Sequence, residues 1–157
     1  LNKNNFVLIF TVLAWLLFFP NAPYILTDLF HLRQRDDMPI WFDWILILSF
    51  SWTGLVFGFA SLIDIEKIAE SRLGKKWTGI ATGALLFAAS FGVYLGRFGR
   101  WNSWDLLSNP VSLLTDIHMR FTDPFAHPRT WAITLLFGIL LNFMYWTIRL
   151  LKKGAII

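Results

Sequence analysis

Four stretches of nearly unbroken apolar sequence, Phe6–Phe19, Ile40–Ile63, Trp77–Leu95 and Trp131–Leu151, constrain this chain more than any other feature. A backbone surrounded by hydrocarbon must satisfy its N–H and C=O groups internally, so such runs are expected to be bilayer-spanning α-helices. The first run is short: its 14 residues rise about 21 Å, less than the ~30 Å hydrocarbon core. It must therefore continue across Pro20–Ile25 as a kinked helix or sit where the bilayer is thin. The expected fold class is all-α, a polytopic transmembrane helix bundle with four spans, forming a single membrane domain over residues 1–157.

Composition agrees, with 56% hydrophobic and 15% charged residues and a mean hydropathy of +0.55, too little polar surface for a soluble domain. Nine Trp residues fit bilayer interfaces. The absence of Cys excludes disulfides and thiolate metal or redox sites. A formal charge of +4 alone would suit nucleic-acid affinity, but the basic residues fall in short segments between the spans, so no nucleic-acid partner is expected. Lys3 before an apolar run resembles a secretion signal, yet no Ala-x-Ala-like site follows, so the first helix is expected to be retained. Because the chain begins at Leu1 rather than Met, further upstream sequence is expected.

With four crossings, the amino terminus, a hydrophilic loop expected over Ile65–Lys76 and the tail share one side. That side carries eight of the 14 basic residues: Lys3, Lys67, Arg72, Lys75, Lys76, Arg149, Lys152 and Lys153. The positive-inside rule makes it cytoplasmic by a thin margin, in a multi-pass protein of the cell membrane. The opposite side holds all six Pro, all three His and seven of the ten acids, among them Asp36 and Asp37. Polar chemistry is gathered at one face.

Two motifs lie on that face. Asn21-Ala-Pro-Tyr-Ile-Leu-Thr-Asp-Leu29 and Asn109-Pro-Val-Ser-Leu-Leu-Thr-Asp-Ile117 share Asn, Leu, Thr and Asp at matching positions. Each follows one span and precedes another, which predicts two parallel repeats over 6–64 and 77–151. Paired interrupted segments in matching halves point to a transport site; chance similarity in apolar sequence is the competing reading. Between the spans at 77–95 and 131–151, Trp101, Trp104, Leu106 and Leu107 alternate with Arg97, Arg100, Asn102 and Asp105. This predicts an interfacial amphipathic segment broken at Asn109-Pro110.

The long motifs Pro20-Asn-Ala-Pro-Tyr-Ile-Leu-Thr-Asp-Leu29 and Leu95-Gly-Arg-Phe-Gly-Arg-Trp-Asn-Ser-Trp-Asp-Leu106 carry a resemblance. On them, essentially the whole chain resembles the bacterial integral membrane proteins grouped as domain-of-unknown-function family 1361. The resemblance implies a multi-pass protein and brings no activity with it.

The candidate polar site comprises Asp28, His31, Asp43, Arg97, Arg100, Asp105 and Asp116. Asp28 and His31, three apart, either supply two ligands to a divalent metal completed by Asp116, His118 or His127, or simply face water at a helix end. Arg97 and Arg100, set among glycines and tryptophans, either grip a lipid phosphate or anchor the chain at the interface. Asp43 lies in the first turn of a span and Asn142 in the middle of one, where polar groups are functional candidates or bonds between helices. Gly54-x-x-x-Gly58, Gly79-x-x-x-Gly83 and Gly92-x-x-x-Gly96 are close-packing rows, a route to homo- or hetero-oligomers as well as to intrachain packing. No P-loop, Ser-His-Asp or zincin pattern is present, and no cofactor is implied.

Three functions are open: a permease-like protein with Asp28 and Asp116 lining its passage; a membrane enzyme on a phosphate-bearing, lipid-linked substrate; and a structural subunit of a membrane complex. Membrane lipids are partners in all three.

Overall fold

The computed structural model describes residues 3–34 and 38–154, so Leu1 and the acids Asp36 and Asp37 lie outside the described residues. The described residues contain helices and no strand: α1 (Lys3–Phe18), α2 (Asn21–Tyr24), a 3-10 helix (Ile25–His31), α3 (Ile40–Leu73), α4 (Lys75–Gly99), α5 (Asp105–Ser108), α6 (Pro110–Thr122) and α7 (Pro128–Gly154). Four helical segments are long and apolar enough to cross a membrane: Phe10–His31, α3, α4 and Pro128–Lys152. In none is more than 39% of the apolar window buried, and Phe57, Leu136 and Phe143 point outward. An apolar exterior of this extent is stable only in lipid. The chain is a multi-pass helical membrane protein. It divides into two compact units, Leu1–Lys75 and Lys76–Ile157.

In the first unit, the apolar run ends where Pro20 and Pro23 remove two helical donors. The chain bends without uncoiling: Phe19 N–H still reaches the Trp15 carbonyl (2.8 Å), Ala22 N–H the Phe19 carbonyl (3.0 Å) and Tyr24 N–H the Pro20 carbonyl (3.1 Å). The short first run is thus extended through α2 and the 3-10 helix, the kinked of the two solutions open to it. Gly54 and Gly58 of α3 seat this bend. A Cβ on Gly54 would lie 3.1 Å from the Ala22 carbonyl oxygen, and one on Gly58 would lie 2.9 Å from the Ala22 methyl. Higher on the same contact, Trp15 Nε1–H donates to Ser61 Oγ at 3.0 Å, and Ser61 passes its own proton to the Gly58 carbonyl (2.7 Å). The first glycine row is therefore filled from within the chain.

α3 runs on to Leu73 and α4 starts at Lys75, so the loop expected over Ile65–Lys76 is helical except at Gly74. Its residues are polar but good helix formers, and Lys67 pairs with Asp64 (2.7 Å) one turn back. The stop is Gly74, at φ 78°, whose N–H closes on the Glu70 carbonyl (3.1 Å).

In the second unit, α4 and α7 pack antiparallel with small residues opposite large ones. A Cβ on Gly79 would lie 3.6 Å from the Trp146 ring and one on Gly83 3.3 Å from Asn142 Oδ1, Gly138 lies beneath the Phe87 ring, and the Phe91 and Trp131 rings stack at 6.2 Å. Each advance of about one turn along α4 is answered by a similar retreat along α7, so backbones meet at the glycine notches. Asn142 Nδ2 donates to the Gly138 carbonyl (2.8 Å) and, more loosely, to the Gly83 carbonyl (3.4 Å). Its role includes bonding across helices. The second glycine row is also filled from within.

Candidate functional site

The first unit carries Asp28, His31 and Asp43, and the second carries Arg97, Arg100, Asp105 and Asp116. Asp28 and His31 lie on the 3-10 helix, whose three residues per turn put both on one face. Asp28 is half-buried and His31 exposed. Thr27 between the bend and Asp28 is buried, and its hydroxyl donates to the Tyr24 carbonyl (2.6 Å), tying the carboxylate-bearing turn to the proline bend. Asp43 is half-buried in the first turn of α3, where a negative charge complements the helix N-terminus. Among the described residues, no three His, Asp or Glu side chains gather as a metal site would require.

In the second unit, the Leu95–Trp101 motif makes a chain reversal. Gly99 ends α4, Arg100 takes a left-handed conformation (φ 58°), and Trp101 N–H returns to the Leu95 carbonyl (3.2 Å). This turns the Trp101 indole inward, where its Nε1–H donates to Asp116 Oδ2 at 2.6 Å. The same carboxylate is ion-paired with Arg120, one turn further along α6, and Arg120 Nη1 also donates to the Asp116 carbonyl (2.9 Å). Arg120 is buried, with its guanidinium 5.6 Å from the centre of the Tyr94 ring. Tyr94 stacks on Phe98 (5.3 Å), and Arg129 covers the Phe98 ring at 4.3 Å. Asp116 is thus the centre of a polar knot set into an aromatic cluster.

Within the expected amphipathic segment, the residues around Trp101 are irregular and the helical turn Asp105–Ser108 follows, while half-buried Trp101 serves as a hydrogen-bond donor. The break expected at Asn109-Pro110 is present: α5 ends at Ser108, Asn109 is non-helical, and Pro110 then opens α6, since proline suits the first helical position, which needs no donor. Asp105 is taken up locally, its carboxylate accepting the Asn102 N–H (2.6 Å) and the Ser108 hydroxyl (3.2 Å). It stabilises a turn. Arg97 is half-buried in the last turn of α4, whereas Arg100, just past the end of that helix, is exposed.

Residues 1–144 match the family model described as "Protein of unknown function (DUF1361)". The chain belongs to the DUF1361 family. No curated protein and no solved structure matches it. Both motifs quoted above fall inside the DUF1361 match, and so does every candidate residue.

Sequence reasoning missed Arg120, and the acid-then-arginine spacing Asp116–Arg120 at i, i+4 is the signal that finds it. It also missed a set of buried polar atoms. Among the described residues, Ser51 Oγ, Arg120 Nε, Thr130 Oγ1, Trp131 Nε1 and Thr134 Oγ1 are buried without a hydrogen-bond partner. Ser49, Thr53, Ser90 and Thr147 show the usual alternative in apolar helices, each returning its hydroxyl to the carbonyl four residues back. Thr134 sits in the helical interior and does not.

Proposed function

We propose that this protein is a permease-like component of the cell membrane, passing a small anionic solute along the α4–α7 face of its second unit. The observation that carries the reading is the pair Thr130 and Thr134, one turn apart on α7, buried and with both hydroxyls unpartnered. A buried hydroxyl that forgoes its own helix costs about 1–3 kcal/mol unless water or solute bonds to it. Arg120 Nε and Trp131 Nε1 border the same aromatic cluster, through Tyr94 and through Phe91 and Phe121 respectively, and both can only donate. Donor-rich lining favours phosphate or carboxylate over a cation. Asp116 then acts as the counter-charge that holds Arg120 in the absence of solute. In the first unit, Asp28 is the corresponding acid of the proposed repeat, and the same order of elements (span, motif, span) in both units supports that repeat.

The test is osmotic swelling of phosphatidylethanolamine/phosphatidylglycerol vesicles containing the purified chain, with acetate and inorganic phosphate as probes. Protein-dependent flux is expected, reduced several-fold by Thr134→Val, which keeps the side-chain shape and removes the hydroxyl. Thr147→Val, at a hydroxyl already satisfied by Phe143, leaves it unchanged. Absence of flux for both probes, or equal flux in Thr134→Val, removes the reading.

A further inference from the structure

We infer that α6 lies flat in the bilayer interface, with one of its three faces pressed into lipid. The inference rests on how its 13 residues divide. Leu113, Asp116, Ile117 and Arg120 form the face turned into the second unit, all buried or half-buried. Beside it runs an exposed apolar arc of Val111, Leu114 and Phe121 (75%, 59% and 58% exposed), with His118 on the same arc. Ser112, Thr115 and Thr122, all exposed, fall on the remaining side, together with Met119 (51% exposed). Helical periodicity of 3.6 residues produces these three faces from the sequence Pro110–Thr122 without adjustment.

Lipid is the occupant that fits the arc. α6 follows the end of α4 and precedes the start of α7, so it is tethered where two spans leave the hydrocarbon on one side. Phe121 makes the arc continuous with the membrane-spanning surface, since its ring packs edge-on to Phe91 of α4 (5.6 Å) and Trp131 of α7 (5.1 Å). Leu107, on the turn just before α6, is 76% exposed and extends the apolar edge the other way. Three or four side chains are too few for a protein interface, which needs roughly 800 Å² per partner. They suit a helix sunk ~5–10 Å into the headgroup boundary, with hydroxyls toward water and a histidine at headgroup level.

The chain has no cysteine, so single spin labels can be placed without background. Full-length protein carrying Val111→Cys, Leu114→Cys, Ser112→Cys or Thr115→Cys is labelled and reconstituted in phosphatidylethanolamine/phosphatidylglycerol vesicles. Collision with oxygen and with a water-soluble nickel chelate is then compared. Labels at 111 and 114 should favour oxygen over nickel at least several-fold, and labels at 112 and 115 the reverse. Equal nickel access at all four positions would place α6 in water and overturn the inference. Labels at 111 and 114 shielded from both reagents would show a protein partner, such as a second copy, and overturn it equally. Two positions on each face keep the outcome readable should one variant fail to fold.

Discussion

A guanidinium inside a helix bundle is tolerable only with its counter-charge at hand, and Arg120 has Asp116 one turn back and the Tyr94 ring beside it. Asp116→Asn leaves that charge uncompensated. Loss of stability toward the lower end of ~3–5 kcal/mol is expected, because Asp116 keeps partial contact with solvent. The double variant Asp116→Asn/Arg120→Met should recover most of it, as read from denaturant unfolding in detergent; equal losses in single and double variants would show that the pair is not coupled. Arg100 offers a test of opposite sign. Its left-handed backbone (φ 58°) costs an L-residue about 1–2 kcal/mol, so Arg100→Gly should raise the thermal midpoint and Arg100→Val should lower it. A midpoint unmoved by glycine would mean that the Arg100 side chain compensates for the strain.

Among the elements, the bend at Pro20–Tyr24 depends on the two glycines of α3 that receive it. Gly58→Leu pushes a branched side chain against the Ala22 methyl and the Phe19 ring, and destabilisation of about 1–3 kcal/mol or more is expected. The Trp15–Ser61 bond lies on the same contact, so the variant should also expose Trp15, read as lost quenching protection against a tryptophan-less control at that position. The four spans were legible because apolar length is a sufficient signal for crossing lipid. The ends of the elements were less so. Residues 65–73 read as loop from their polarity, yet Glu66, Lys67 and Glu70 are helix formers and Gly74 marks the true stop. Asn109-Pro110 reads as a break and the chain does break there, at non-helical Asn109, but that Pro110 also opens a new helix is not in the signal, because proline both ends and begins helices. Asp116 stands out in the sequence through its motif, whereas Trp101 reads only as part of an interfacial amphipathic segment. Its inward turn is set by the conformation of Arg100, which no periodicity reveals.

At the scale of the whole molecule, each unit joins two long apolar helices through a polar, proline-bearing connection. The α4–α7 pair adds a mechanical consequence. Phe87 lodges in the notch at Gly138, and Trp146 and Asn142 face Gly79 and Gly83. Small offsets between the helices would drive these rings onto backbone, and a slide of one full turn, about 5–6 Å, would carry Phe87 off Gly138 onto Thr134 or Asn142. Motion in this pair is therefore expected to be a pivot about the notches, never a slide. Spin labels on the outward faces of α4 and α7 should give narrow distance populations; a single broad distribution would show that the helices slip freely.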